Sequence, residues 1–538
     1  MKNRIIIIGL DAADPDLVEN WSREGYLPTI TSLMTQGCWG RLASPAEVST
    51  GPAWPSFFAS ISPARQGRFF YRQLKTGTYR IHKKYANEID ATPFWLRLSQ
   101  AGKRIAIIDV PKTYPVEGIN GIQIVGWGVH SPNWEMSSYP FGLIKEVLSR
   151  FGTYTVPNCD EFHLKDTSQY KNFYEKLISG AKQKGLVSEY FLTQQDWDLF
   201  LTVFGEPHCA GHHLWHIIDT HHPDYKPEMG NVLGNVIRDI YSTIDSAISK
   251  LVNAAPDSTF IIISPHGMGP NYSGTHLLPE VLRRLGMVVT PEVDSRSTFT
   301  HFSNYIWSRW LSKIRDRLIE IAPLEIIKIV RQTLPQKIWD NLTCRLLDAG
   351  NEWRWSRAFC IPGDFSGAIR INLKGREPNG LVEPGREYDA VCDEIIKELE
   401  SLQNPDTGRK AVSEVVRIDK IYHGEHLWEF PDLIVKWAGD APIRALYSPR
   451  IGTVSGENPD KRSGEDRSHG FLIAYGKHIA KGKFVKDADL IDMAPTITYL
   501  MGEPVPRDMD GKVLLEIIDE DFKANNPVLY LKPTVDKH

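Results

Sequence analysis

A continuous run of apolar residues near the start of the chain, Ile5-Ile6-Ile7-Ile8-Gly9-Leu10, restricts the possible folds most strongly. A strand that is apolar at every position has both faces buried, which is typical of a parallel sheet covered by helices. The run ends at Asp11. Because open α/β sheets bind their ligands beyond the carboxyl ends of the strands, this carboxylate is placed to hold a metal ion or another ligand.

Similar strands recur along the chain and alternate with helices. The sequence predicts helices at about 14–23 and 27–37, and strands at 40–43, 104–110, 122–127, 199–204, 259–264 and 471–475. This alternation predicts an α/β fold with a doubly wound, mostly parallel sheet. Polar clusters follow or adjoin several of the strands, and we expect them to converge on one rim of the sheet.

The length of 538 residues exceeds that of a usual single core, so an insertion or a second domain is expected. The pattern changes after about residue 291, where a helical stretch at 300–350 precedes short strands and the helix Tyr388–Leu402. We predict a core of residues 1–290 and 441–522, an inserted smaller α+β and helical cap of residues 291–440, and a frayed tail of residues 523–538.

Composition excludes several classes of function. The formal net charge of −4 and the pI near 6.5 give no field that recruits nucleic acid. No window reaches the roughly 18–20 apolar residues of a spanning helix, so we expect no integral membrane segment. The six scattered cysteines form no CxxC pair and are interpreted as reduced thiols. These features favour a cytoplasmic protein.

The loop Glu47–Gly67 contains the hydroxyl groups that we expect to carry chemistry. Ser49 and Thr50 precede Gly51-Pro52 and a run that can be helical, so one hydroxyl can cap the helix while the other is presented at its N-terminus. The free N–H groups and the helix dipole favour anionic oxygen there, which suits a nucleophile that accepts phosphate. An ordinary capping role is the alternative interpretation.

Histidine-bearing segments follow or adjoin three of the predicted strands. His208 and His212 are four residues apart, so both imidazoles lie on one side of a helix and can share a divalent ion. Asp11, His266 and His469 arrive from other strand ends. Mixed oxygen and nitrogen ligands suit Zn²⁺ best, with Mn²⁺ or Fe²⁺ as alternatives.

The sequence resembles the alkaline phosphatase superfamily and, within it, the type I phosphodiesterase/nucleotide pyrophosphatase group. The likeness extends over nearly the whole chain and implies an alkaline phosphatase-like core that hydrolyses phosphoric esters. The motifs that carry it are Gly9-Leu10-Asp11-Ala12-Ala13-Asp14-Pro15, Gly25-Tyr26-Leu27-Pro28, Thr50-Gly51-Pro52 with Pro63 and Gly67, Val110-Pro111-Lys112-Thr113-Tyr114-Pro115, His266-Gly267-Met268, Lys374-Gly375-Arg376-Glu377-Pro378, Pro431-Asp432-Leu433 and Asp492-Met493-Ala494-Pro495-Thr496.

Carried onto this sequence, the resemblance makes Thr50 the nucleophile and a ligand of one metal ion, which Asp11 and His266 also hold. It assigns His212 and His469 to a second ion. Two divalent ions of this kind activate the nucleophile and stabilise the leaving oxygen. The implied reaction is hydrolysis through a phospho-enzyme, with a small phosphorylated or nucleotide-type substrate.

The sequence departs from the family pattern at three places. His208 stands where the family has Asp, Pro265 stands where Asp precedes the His-Gly-Met motif, and the late Gly-Asp-His pattern is blurred at 464–469. Pro265 cannot bind a metal through its side chain, whereas three imidazoles, His208, His212 and His469, can still hold Zn²⁺. Further residues that can act as ligands or support them are Glu206, Asp466 and His213, and Asp466 is an alternative to His469.

Two other functions compete with the hydrolase. A phosphoryl transferase or mutase on the same scaffold is favoured by the large insertion, which can exclude water. A non-catalytic relative that binds a metal ion or an anion is favoured by Pro265. A sulfatase is disfavoured, because its modified Cys or Ser lies in a Cys/Ser-x-Pro-x-Arg context that Thr50-Gly51-Pro52-Ala53-Trp54 does not match.

Overall fold

The computed structural model describes residues 3–129, 135–159, 164–288 and 353–531, together with Ile338, Asp340, Asn341 and Cys344. The helices that we expect within 300–350 therefore lie almost wholly outside the described residues. Of the helices in the described ranges, none is long and apolar enough to cross a membrane.

The described strands are β1 (Ile5–Leu10), β2 (Cys38–Ala43), β3 (Arg72–Leu74), β4 (Ile81–Lys83), β5 (Ile105–Ile108), β6 (Gly121–Val125), β7 (Ser137–Tyr139), β8 (Leu199–Phe204), β9 (Thr259–Ser264), β10 (Gly267–Pro270), β11 (Ala358–Ile361), β12 (Gly367–Ile371), β13 (Gln403–Asn404), β14 (Arg409–Lys410), β15 (Val412–Arg417), β16 (Leu433–Trp437), β17 (Ala445–Ser448), β18 (Gly452–Ser455), β19 (Gly464–Arg467), β20 (Gly470–Tyr475), β21 (Lys483–Asp489), β22 (Val505–Pro506) and β23 (Tyr530–Leu531).

The described α-helices are α1 (Pro15–Arg23), α2 (Pro28–Gln36), α3 (Ala53–Ala59), α4 (Pro63–Gln66), α5 (Phe94–Gln100), α6 (Leu143–Phe151), α7 (Thr167–Gln194), α8 (Glu206–Ile218), α9 (Pro227–Leu233), α10 (Val236–Ala254), α11 (Leu278–Arg284), α12 (Arg386–Glu400), α13 (Ile418–Ile421), α14 (Met493–Leu500) and α15 (Glu520–Asn525).

A nine-stranded sheet organises the chain, in the order β21-β2-β20-β9-β1-β8-β5-β6-β7. Five of its eight neighbouring pairs are parallel, and the three antiparallel pairs are those that involve β20 or β7. The prediction of an α/β fold with a mostly parallel sheet is therefore confirmed.

Alternate residues of β1 face two separate apolar cores. Ile6 and Ile8 pack with residues of α1, α2, α7, α8 and α10, whereas Ile5 and Ile7 pack with residues of α3, α5 and α14. All four isoleucine side chains are fully buried. Helices thus cover both faces of the sheet, which is why this strand is apolar at every position and not at alternate ones.

The antiparallel strand β20 matters for the position of the polar segments. Its first residues pair with the last residues of β9, with Phe471 opposite Ser264. The residues that precede β20 therefore lie at the same rim as the carboxyl ends of β9 and β1. An antiparallel strand contributes to this rim from its amino end, where the parallel strands contribute from their carboxyl ends.

The described residues form two compact units. The first unit consists of Met1–Gln66, Tyr85–Asn271 and Lys461–His538, and contains the central sheet. The second consists of Gly67–Lys84 and Tyr272–Asp460. It contains two four-stranded sheets, β11-β12-β16-β15 and β14-β13-β17-β18.

The second unit is more extensive than the predicted insertion at 291–440. Leu278, Val281 and Leu282 of α11 belong to its apolar core, so the unit includes residues before 291. After 440, β17 pairs with β13 and with β18. These contacts join residues that lie far apart in the sequence, and hydrophobic periodicity does not reveal them.

The prediction of a frayed tail is wrong for residues 523–531. Asp519 accepts a hydrogen bond of 2.6 Å from the Phe522 amide and so caps α15. The strand β23 then pairs in parallel with β22. These local hydrogen bonds order the tail as far as residue 531, and the remaining residues lie outside the described ranges.

A close approach at Gly9 generates the first testable prediction. A Cβ at Gly9 would lie 2.6 Å from Trp54 Cη2 and 2.9 Å from Val203 Cγ2. We expect Gly9→Ala to lower the free energy of unfolding, measured by urea titration, by about 1–3 kcal/mol, because an overfilled core displaces its neighbours. Gly456→Ala is the control, since its Cβ would make an ordinary contact of 3.4 Å with Leu277. Equal losses in the two variants would contradict this explanation.

The buried N-cap of α1 predicts a pH dependence of stability. Asp14 Oδ1 accepts hydrogen bonds of 3.0 Å from the Asp16 and Leu17 amides, and burial raises the pKa of Asp14 from 3.8 to about 6. The folded state therefore binds this proton more tightly than the unfolded state, so the free energy of unfolding falls as the pH rises from about 4 to about 6.

We expect Asp14→Asn to keep the helix cap, because Asn is an equally good capping residue. The variant should lose a pH-dependent contribution of about 2–3 kcal/mol over that window. Urea unfolding of both proteins at several pH values between about 4 and 7 measures the difference. Identical pH profiles would show that the carboxyl group of Asp14 does not titrate in this way.

Candidate active site

Three neighbouring strands bring polar residues to one rim of the central sheet. Asp11 directly follows β1, and its amide donates a hydrogen bond of 2.9 Å to the Phe204 carbonyl at the end of β8. The helix α8 begins at Glu206, immediately after β8, and His266 follows β9. The prediction that these segments come together at the strand ends agrees with this topology.

The histidine pair of α8 forms a cluster with a carboxylate. His208 Nε2 and His212 Nε2 are 3.2 Å apart, and Asp466 Oδ1 lies 3.8 Å from each of them. All three side chains are buried. Two imidazoles that bind one Zn²⁺ at 2.0–2.1 Å with a tetrahedral angle have nitrogens about 3.3 Å apart. The cluster therefore has the spacing and the donor types of a divalent metal site.

The surroundings of His212 prepare its ring as a metal ligand. His212 Nδ1 lies 2.8 Å from the Gly464 carbonyl, which can only accept, so Nδ1 carries the proton and Nε2 keeps its lone pair. Arg462 Nη1, which can only donate, lies 3.5 Å from Nε2 and agrees with this assignment. A hydrogen bond of this kind orients metal-binding histidines and makes them better donors.

His266 lies between this cluster and Asp11. Its Nδ1 is 3.7 Å from Asp466 Oδ1, and its Nε2 is 3.8 Å from Asp11 Oδ1. The indole N–H of Trp54 donates to Asp11 Oδ1 at 2.7 Å. Since Trp54 is four residues after Thr50, this hydrogen bond joins the threonine loop to the carboxylate at the end of β1.

The threonine loop differs from its predicted geometry. The N-cap of α3 is Pro52, so the prediction that Ser49 or Thr50 caps this helix is wrong. Instead, Ser49 Oγ accepts a hydrogen bond of 3.3 Å from the Gly51 amide, which forms a turn before the helix. The Thr50 carbonyl accepts a hydrogen bond of 3.0 Å from Lys112 Nζ, so a side chain of the segment that follows β5 holds the loop.

The structure does not bring His469 to the cluster. Its ring is exposed and lies 2.8 Å from the Ser468 hydroxyl. Asp466 belongs to β19, which pairs antiparallel with β10 so that Asp466 is opposite Met268. His469 falls in the turn between β19 and β20. Of the two alternatives that the sequence leaves open, Asp466 is the one that lies beside His208 and His212.

Glu206 and His213 lie behind the cluster and not within it. Glu206 Oε1 accepts a hydrogen bond of 2.6 Å from the Tyr154 hydroxyl, and burial raises the pKa of this carboxyl group. His213 Nε2 donates to the Cys159 carbonyl at 2.8 Å. Both residues therefore support the elements that surround the site.

Sequence analysis missed three residues that contact the site. Trp54 donates a hydrogen bond to Asp11, and Arg462 faces His212. Lys112 donates a hydrogen bond to the backbone carbonyl of Thr50. Lys112 lies in one of the family-like motifs, and its φ of 63° is a strained value that is typical of functional sites. Trp54 could also have been found from the sequence, because it lies four residues after Thr50. Nothing in the local sequence pattern marks Arg462 as a residue of the site.

The comparison with known families identifies the chain. Residues 5–443 match the family model described as type I phosphodiesterase / nucleotide pyrophosphatase. The chain belongs to this family and is an enzyme that hydrolyses phosphoric esters. The resemblance found in the sequence motifs is thereby confirmed.

Similar folds occur among solved structures at low sequence identity. Phosphonoacetate hydrolase from Sinorhizobium meliloti 1021, in complex with phosphonoformate, is 12% identical with a TM-score of 0.48, covering 93% of this chain and 95% of that chain. Murine ectonucleotide pyrophosphatase/phosphodiesterase 5 is 14% identical with a TM-score of 0.47, covering 96% of this chain and 100% of that chain. No curated protein matches the sequence.

The position of Asp466 leads to a prediction about metal content. We expect His212→Ala and Asp466→Ala each to remove about one metal ion per chain, because three ligands are the usual minimum for a tight site. His469→Ala is the matched control and should leave the metal content unchanged. Elemental analysis of protein purified without chelator measures the stoichiometry. Loss of metal in the control, or its retention in the Asp466→Ala variant, would reverse the assignment.

Proposed function

We propose that this enzyme is a metal-dependent phosphodiesterase that uses Thr50 as its nucleophile on a small phosphorylated or nucleotide-type substrate. The observation that carries the proposal is the 3.2 Å separation of His208 Nε2 and His212 Nε2, with Asp466 beside both. Family membership supports the reaction class.

Two groups of residues would hold divalent ions. His208, His212 and Asp466 would hold the first, and Asp11, His266 and Thr50 would hold the second. Imidazole and carboxylate donors suit Zn²⁺, with Mn²⁺ or Fe²⁺ as alternatives. When bound, such ions lower the pKa of a hydroxyl ligand and offset the negative charge of the phosphate.

In the proposed reaction, Thr50 takes part in two successive displacements at the phosphorus atom. Thr50 Oγ attacks the phosphorus atom, the bond from phosphorus to the leaving alcohol breaks, and the hydroxyl proton leaves with that alcohol. Water next attacks the phosphorus, breaks the bond to Thr50, and returns a proton to its oxygen. The hydrogen bond from Lys112 to the Thr50 carbonyl, at 3.0 Å, would hold the nucleophile in place during both steps.

Three features support an ordered site for this chemistry. Asp11 is oriented by the indole of Trp54 at 2.7 Å, and His212 is oriented by the Gly464 carbonyl at 2.8 Å. Thr50 as a residue is 9% exposed, so little solvent competes at the nucleophile. These contacts reduce the reorganisation that a bound substrate would require.

Substitution of the nucleophile tests the proposal. We expect Thr50→Ala to lower kcat for bis(p-nitrophenyl) phosphate by about a thousand-fold or more, because the covalent pathway is lost. Thr50→Ser is the matched control and should retain measurable turnover, since serine keeps a hydroxyl on the same Cβ atom. Rapid acid quenching and mass spectrometry should find a Thr50 peptide that carries a p-nitrophenyl phosphoryl group in the unsubstituted enzyme.

Unchanged turnover in the Thr50→Ala variant would reject the covalent mechanism. Product analysis with added glycerol separates hydrolysis from transfer, since a transferase would form a glycerol phosphoester in place of the hydrolysis product. Absence of turnover towards aryl phosphate diesters and monoesters, in protein with full metal content, would reject the proposed substrate class.

A further inference from the structure

A second group of side chains of the types that bind metal ions lies on the other side of the His208 ring from His212. Cys159 Sγ, Cys209 Sγ and a ring nitrogen of His208 lie within 4.8 Å of one another, and all three residues are buried. The distance from Cys159 Sγ to His208 Nδ1 is 3.7 Å. For one tetrahedral Zn²⁺ with bonds of about 2.3 Å to sulphur and about 2.0–2.1 Å to nitrogen, this separation is about 3.6 Å. The group therefore has the spacing of ligands around a single ion.

The two cysteines lie in different segments of the chain. Cys209 is part of α8 and is the neighbour of His208. Cys159 precedes α7, and the ring of His213 donates a hydrogen bond of 2.8 Å to its carbonyl. The His213 ring is itself packed edge-on against Phe173, with ring centroids 5.3 Å apart. The position of Cys159 beside His208 is thus maintained by a second residue of α8.

The ring of His208 faces the two groups with different atoms. Its Nδ1 lies 3.7 Å from Cys159 Sγ, whereas its Nε2 lies 3.2 Å from His212 Nε2 at the rim. We propose that Cys159, Cys209 and His208 form an additional thiolate-containing site for Zn²⁺ or a softer ion such as Cd²⁺, linked to the rim site through the His208 ring. Soft sulphur donors select such ions over Mg²⁺ or Ca²⁺. Binding releases the two thiol protons to water. When Nε2 also holds the rim ion, the His208 ring gives up its own proton as well, because both ring nitrogens are then donors.

The test of this site does not depend on the chemistry proposed for Thr50. Two of its three donors are sulphur atoms, which the group of His208, His212 and Asp466 lacks. A spectroscopic signal from sulphur therefore reports on this site alone, whether or not the enzyme turns over a phosphoric ester. Failure of the proposed function and failure of this inference are consequently distinguishable.

Cobalt is a suitable probe, because Co²⁺ replaces Zn²⁺ and gives an intense near-ultraviolet charge-transfer band only when thiolate is bound. Full-length protein would be freed of metal with a chelator under reducing conditions and titrated with Co²⁺ alone. We expect the band in the unsubstituted protein and its loss in Cys159→Ser and Cys209→Ser, each with about one Co²⁺ fewer per chain. Cys360→Ser is the matched control, since Cys360 lies in β11 of the second unit.

His212→Ala separates the two sites. This variant should lose the rim ion but keep the thiolate band, because His212 is not a member of the sulphur-containing group. Absence of the band in the folded, unsubstituted protein would overturn the inference, and so would its persistence in Cys159→Ser. If the cysteine variants fail to fold, X-ray absorption of the cobalt-loaded unsubstituted protein decides the question, since an absence of sulphur neighbours would equally overturn the inference.

Discussion

The close packing of α8 against the paired strands β10 and β19 is the constraint on which the site depends. A Cβ at Gly211 would lie 2.3 Å from Met268 Cγ, and one at Gly464 would lie 2.1 Å from the Gly211 carbonyl oxygen. Because neither residue has a side chain, helix and strand approach closely enough for His212 to donate to the Gly464 carbonyl. Side chains alternate along a strand, so Asp466, two residues later, also faces α8. The His–His–Asp cluster follows from this contact.

Much of the fold could be predicted from the sequence because its central strands are buried on both faces. The bounds predicted for Leu199–Phe204 and Thr259–Ser264 agree with the structure. In both strands the apolar run gives way to polar and turn residues at its carboxyl end. By contrast, β19 has the sequence Gly-Glu-Asp-Arg and no apolar pattern. Its register is set by pairing with β10, so the choice between Asp466 and His469 required the structure.

Two of the candidate metal ligands have exchanged residue types relative to the family pattern. The family resemblance implies a carboxylate at the position of His208 and an imidazole in the late segment. Here the imidazole is at His208 and the carboxylate is at Asp466, so a set of two imidazoles and one carboxylate is retained with the two positions exchanged. Asp466 Oδ1 also lies 3.7 Å from His266 Nδ1, so this carboxylate stands between the two groups of residues that are proposed to hold the ions.

The central location of β1 also affects how the protein is made. Among the described strands, β1 pairs only with β8 and β9, and the nearer of these two in sequence begins at Leu199. At a synthesis rate of about 5–20 residues per second, the run Ile5–Leu10 emerges roughly 10–40 s before that partner. An apolar strand with both edges unpaired is prone to aggregate in that interval. Production of this enzyme is therefore expected to depend on protection of its first residues by chaperones.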